Sequence, residues 1–180
     1  MDFSNINAAL LISAIMVASV PILLAAMGEM VVEKAGVLNL GVEGMMIMGA
    51  VCGFAVAMTT GSPAAAFVGA ALGGMVLSLV FGILTQYFMT NQVATGLALT
   101  LFGLGLSSLI GQSYRGLKPP LTEKLDLGPL SDIPFLGQAM FSHDWIVYFS
   151  VALTIAVWAF LKYSRAGLVL RAVGENHDAA

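Results

Sequence analysis

The side chains able to do polar chemistry are few in this chain, and most stand in apolar surroundings. In the stretch AGVLNLGVEG, from Ala35 to Gly44, the polar residues are Asn39 and Glu43, set among Gly36, Gly41 and Gly44. Glu43 has two readings. A carboxyl group at membrane depth costs roughly 2.5–3.5 kcal/mol on insertion scales for the related Asp, and is kept where it pairs, protonates or lines a polar path. The alternative is a surface carboxylate at a helix N-terminus, where the helix dipole stabilises it by less than about 1 kcal/mol. The Asn39 amide suits either broken backbone or a sugar-like hydroxyl, and it equally suits a turn between glycines.

A second group, Asn91, Gln92, Thr95 and Thr100, opens a later apolar stretch. Helical spacing puts Gln92, Thr95 and Ser107 toward a common side, which fits a path lined by uncharged hydrogen-bonding groups. The same residues also serve as interhelical hydrogen-bonding glue. Near the end, SRAGLVLRAVGENHDAA combines Leu168, Val169 and Val173 with Arg165, Arg171, Glu175 and Asp178. A short, partly amphipathic element of this kind docks in a partner's groove or lies on a membrane surface.

Other chemistries lack their residues. GLGLSSLIG has no Lys for a phosphate-binding loop, no serine sits in a nucleophile elbow, and His143 and His177 have no partners at metal-ligand spacing. With no catalytic pair visible, an embedded enzyme has little support. Work done on a solute along such a path must draw on an ion gradient or on another subunit.

The elements that position these groups follow from composition. Of 180 residues 59% are hydrophobic and only 9% charged, against about 25% charged in ordinary soluble domains. Too few charges exist to coat a surface, so membrane lipid must cover it. A net charge of −3 without a basic stripe excludes nucleic acid. The lone Cys52, in an apolar stretch, is expected to pack as a small hydrophobe.

Crossing hydrocarbon takes about 20 apolar residues. Spans are therefore expected near Asn7 to Gly28, Pro63 to Met89, Val93 to Ile110 and Trp145 to Tyr163, the last bracketed by aromatic residues. Between the first two, Ala35 to Gly61 forms another span, broken by glycines. Either AGVLNLGVEG is a cytoplasmic loop before a short helix from about Met45, or it is a discontinuous helix enclosed by protein or a polar cavity. The fold class is thus an all-α integral membrane bundle of about five helices, a single transmembrane domain over residues 1–180. Small residues four apart, Gly49 and Gly53, Gly69 and Gly73, then Gly103, Ser107 and Gly111, are expected to let helices approach closely. Residues 112–144 form an extracytoplasmic loop, read as an ordered cap because its prolines stand among Leu and Phe. Charges around Lys162 to Arg171 place 164–180 in the cytoplasm and the N-terminus outside. The chain stops within a polar segment without a closing span and is read as a fragment of a longer polypeptide.

PILLAAMGEMVVEKAGVLNLGVEGMMIMGA, from Pro21 to Ala50, resembles permease subunits of ATP-binding-cassette importers for nucleosides and simple sugars, in the group that includes branched-chain amino acid and ribose permeases. NQVATGLALTLFGLGLSSLIG, from Asn91 to Gly111, and GLVLRAVGENHDAA, from Gly167 to Ala180, are similar to later family segments in the same order. His177 stands where relatives commonly have proline. The resemblance implies a bacterial inner-membrane, multi-pass protein that pairs with a second permease subunit, cytoplasmic ATP-binding subunits and an external solute-binding protein. It implies no cofactor and no catalysis in this chain, since the partners would bind and hydrolyse ATP. It further implies that AGVLNLGVEG, with Asn39 and Glu43, lies near the solute path, to which helical spacing adds Asn91, Gln92 and Thr95, and that RAVGENHDAA, with Arg171, Gly174, Glu175 and Asn176, is the ATPase-coupling element, to which the amphipathic tail adds Arg165. The alternative is a secondary transporter or channel whose broken helices bind ions.

Overall fold

The computed structural model describes residues 7–119 and 136–175, with Leu125, Gly128 and Ile133. Its elements are α1 (Ala8–Lys34), α2 (Val42–Thr60), α3 (Pro63–Gly82) continued by a π turn (Ile83–Tyr87), α4 (Gln92–Gly111) continued by a 3-10 turn (Gln112–Tyr114), α5 (Leu136–Met140), α6 (Trp145–Tyr163) and α7 (Arg165–Glu175). Among the described residues, five helices are long and apolar enough to span a membrane: α1, α2, α3 with its π turn, α4 with its 3-10 turn, and α6. Large apolar side chains such as Ile15, Ile22, Leu72, Leu79, Leu101 and Ile155 stand exposed on them, as lipid-facing surfaces require.

Two compact units are present. One holds α1 as far as Gly28, α5, α6 and α7 as far as Val169; the other holds the end of α1 from Glu29, then α2, α3, α4 and α7 from Leu170. In the second unit Met45, Met48, Leu77, Phe81 and Leu99 form a core from three helices, with Cys52 packed against it and only partly buried. The expected close approaches are present there. A Cβ on Gly49 would lie 2.9 Å from the Ala70 carbonyl, and one on Gly73 would lie 2.7 Å from Cys52 Sγ. Gly103 approaches Gly44 as closely, and Ser107 is buried beside this face. Gly111 departs from the pattern, since its nearest neighbour would be a Val51 methyl 3.9 Å away.

The helix ends follow local rules. Gly61 closes α2 with φ +67°, a conformation costly for other residues. Ser62 then caps α3 by accepting from the Ala65 N–H, with Pro63 at the first helical position. The first helix does not stop at Gly28, because EMVVEK contains no breaker and continues it to Lys34; Glu29, Glu33 and Lys34 therefore stand on a helix rather than in a connection. It ends at Gly36, whose φ of +81° is the left-handed conformation that glycine tolerates.

In the other unit, Lys162 Nζ lies 4.9 Å from the Trp158 ring at the end of α6. Ser164 accepts from the Gly167 N–H and starts α7 at a sharp corner, where a Cβ on Gly167 would collide with the Phe160 carbonyl. Of residues 112–144, the described part includes α5 and a buried His143 whose Nε2 lies 2.9 Å from the Ala139 carbonyl. Most of the remaining cap expected there lies outside the described residues.

Candidate functional site

Of the polar residues singled out by the sequence, Asn39, Gln92 and Thr100 meet at the non-helical segment 35–41 between α1 and α2, within the second unit. The N–H groups of Ala35, Gly36 and Val37 donate back to the Val32 and Glu33 carbonyls at the end of α1, and beyond them side chains take over. The Leu38 N–H donates to Gln92 Oε1 at 2.8 Å, and the Asn39 N–H donates to Glu29 Oε1 at 3.1 Å. Asn39 is buried, and its Oδ1 accepts the Gly41 N–H at 2.9 Å. Its Nδ2 faces Met45 Sδ at 3.6 Å, a weak contact. From α4 the Thr100 hydroxyl donates to the Leu40 carbonyl at 3.0 Å.

Backbone meets backbone over the same stretch. A Cβ on Gly96 would stand 2.9 Å from the N atoms of Leu40 and Gly41, and one on Gly44 would stand 2.7 Å from the Leu99 carbonyl oxygen. The segment therefore runs along α4 from Gln92 to Thr100, about 12 Å at the helical rise of 1.5 Å per residue. α2 itself is continuous from Val42 to Thr60 and the irregular backbone lies before it, which is the loop-then-helix alternative rather than a helix broken within its length. A non-helical piece packs beside α4, and one continuous helix then starts at Val42, a turn before Met45.

Each expected path residue now has a place. Asn91 caps α4, its Oδ1 accepting the Ala94 N–H at 3.0 Å. Gln92 braces Leu38, and Thr95 shares a 2.9 Å hydroxyl contact with Thr90 in the turn before α4. Ser107 donates to the Leu104 carbonyl of its own helix and is buried. Glu43 differs, being exposed in the first turn of α2. Its neighbour Gly44 abuts Leu99 and Thr100, so the carboxylate sits about two turns along α4 from Gln92. Glu29 is a functional contact that the sequence does not signal, because it lies just past the first span expected from Asn7 to Gly28. Its spacing of ten residues from Asn39 across an unforeseen helix end hid the contact.

The tail residues divide. Arg165 and Glu175 are exposed on α7 together with Leu168 and Val169. Arg171 is half-buried, and its buried Nε has no hydrogen-bond partner among the described residues. Gly174 lies against the end of α1, where a Cβ would collide with the Lys34 carbonyl and stand 2.9 Å from the Gly36 N. Asn176 lies outside the described residues, as do His177 and Asp178.

Five apolar helices and a protein-enclosed irregular segment define a multi-pass membrane protein. Residues 11–180 match the family described as the branched-chain amino acid transport system permease component, and the chain belongs to that family. It is 39% identical to a putative glucose ABC transporter permease protein of Haloferax volcanii, over 96% of this chain and 54% of that relative. It is 30% identical to a guanosine ABC transporter permease protein of Bacillus subtilis, over 95% of this chain and 57% of the relative. A nucleoside ABC transporter permease protein of Lactococcus lactis is 26% identical over a similar range. The chain thus spans about half the length of the curated relatives it matches. No solved structure gives a significant match.

Proposed function

We propose that this chain forms part of the permease of an ATP-binding-cassette importer that moves a nucleoside or a simple sugar across the inner, plasma membrane by alternating access. The match of residues 11–180 to the permease family is the observation that carries the reading. Sugar and nucleoside permeases among the relatives suggest the cargo class. A second permease subunit completes the path, an external solute-binding protein delivers the solute, and cytoplasmic subunits bind and hydrolyse ATP. No catalysis and no cofactor are assigned to this chain. The relatives come from bacteria and an archaeon, so the proposed location is the plasma membrane of either.

Charge and hydrogen bonding refine the roles of the path residues. Asn39, Asn91, Gln92 and Thr95 already commit a polar atom to the protein itself, and they act by shaping the segment and the start of α4. Glu43, exposed beside them, faces the solute route. The surface of α7 bearing Arg165, Leu168, Val169 and Glu175 seats on an ATP-binding subunit.

The test is uptake of labelled nucleoside and labelled glucose into liposomes holding the complete transporter. Uptake requiring internal ATP and the binding protein is expected, and Glu43→Gln should lower it while assembly is retained. Uptake driven by a sodium or proton gradient without an ATPase would replace the proposal with a secondary transporter.

A further inference from the structure

The segment 35–41 is gripped from two directions within one unit. At its start, Gly36 and the Lys34 carbonyl lie directly against Gly174 of α7, with no side chain between the two backbones. Along its length, Gln92 and Thr100 of α4 bond to Leu38 and Leu40, and Gly96 admits the Leu40–Gly41 backbone. Inside the segment, Asn39 ties its own amide to Gly41, and Glu29 holds the Asn39 N–H. Such a piece of backbone is short, internally braced and in backbone contact at both ends, so a displacement at one end has a direct route to the other.

We infer that residues 35–41 are a strap that carries the movement of α7 to α4 and to the start of α2, with the Gly174–Gly36 contact as its input and the Gln92 and Thr100 bonds as its output. This rests on the proposed seating of α7 on an ATP-binding subunit. Glycine at 174 is needed because any side chain would wedge α7 away from the end of α1. A strap of this design converts a shift at the α7 surface into a shift of the helix that carries Glu43, about two turns from Gln92.

The experiment uses the complete transporter in liposomes, with Cys52→Ala and a spin label on a cysteine at Leu38 or, separately, at Leu97; both positions are exposed. ATP-driven uptake by this parent protein is measured first, and its absence speaks against the permease reading rather than the strap. In an active parent, ATP should change the spectra at both positions. Gly174→Ala should abolish the change at both while the complex still assembles and hydrolyses ATP. Gln92→Ala combined with Thr100→Val should keep the change at 38 and lose it at 97. An unmoved label at 38 in an actively transporting parent overturns the inference. So does a full response at 97 in the Gln92/Thr100 double variant, which keeps the test decisive if Gly174→Ala does not assemble.

Discussion

At Asn39 and Gln92 the same kind of bond, a side-chain oxygen accepting a loop N–H, sits in different solvent. The Asn39–Gly41 bond is buried, with Asn39 only 7% exposed, whereas the Leu38–Gln92 bond is exposed. Removing the acceptor from a buried N–H costs about 1–3 kcal/mol, because nothing replaces it. An exposed N–H turns to water, and only the smaller net value of a hydrogen bond, about 0.5–1.5 kcal/mol, is at stake. Asn39→Ala is therefore expected to destabilise the detergent-solubilised protein by more than Gln92→Ala does. Thermal unfolding of the two variants beside the parent checks the ranking; equal losses would mean that burial adds nothing to the Asn39 bond. Spacing made these residues visible as polar groups in an apolar field, but not their partners. Each amide was legible as a candidate ligand for a solute, while its commitment to backbone depended on α1 running on to Lys34 and on α4 lying beside the segment. Glu29 stayed hidden for the same reason.

The packing of α2 on α4 is set by glycines whose places are not equivalent, although all lie on apolar helices. A Cβ on Gly103 would stand 2.6 Å from the Gly44 carbonyl oxygen and 2.8 Å from its Cα, both backbone atoms that cannot step aside. Gly105, on the same helix, would find nothing within 4 Å. Gly103→Ala is expected to lower stability by about 1–3 kcal/mol, the usual range for overpacking. Gly105→Ala is expected to be neutral or to add up to about 1 kcal/mol through helix propensity. Unfolding midpoints in one detergent test the pair, and similar behaviour of the two variants would refute the close crossing. The four-residue rhythm of small residues marks such contacts in the sequence itself, and the span lengths mark the helices. Gly111, in rhythm but with room for a Cβ, marks the limit of that signal: periodicity names a face, and only the tilt between two axes says how far along it they touch closely.

For the whole molecule, the number of spans fixes which ends share a side of the membrane, independently of any site. If each of the five span-length helices among the described residues crosses in turn, the end of α1 at Lys34 and the end of α6 at Tyr163 are expected on one side, and the end of α4 with Lys118 on the other. Counting basic residues decides little, since Lys34, Lys162, Arg165 and Arg171 oppose Arg115, Lys118 and Lys124. Proximity decides more, because Lys162, Arg165 and Arg171 cluster at the end of α6 and on the helix that follows it, the pattern that the positive-inside rule expects of a cytoplasmic end. In a Cys52→Ala background, single cysteines at Glu33 and Ala172, both exposed, are expected to react with a membrane-impermeant maleimide only in inside-out vesicles. A cysteine at Lys118, also exposed, should react only in right-side-out vesicles. Labelling of 33 and 172 from opposite faces would refute the five-span count. Labelling of both from the outer face would preserve the count but reverse the orientation, and α7 would then be out of reach of any cytoplasmic ATPase.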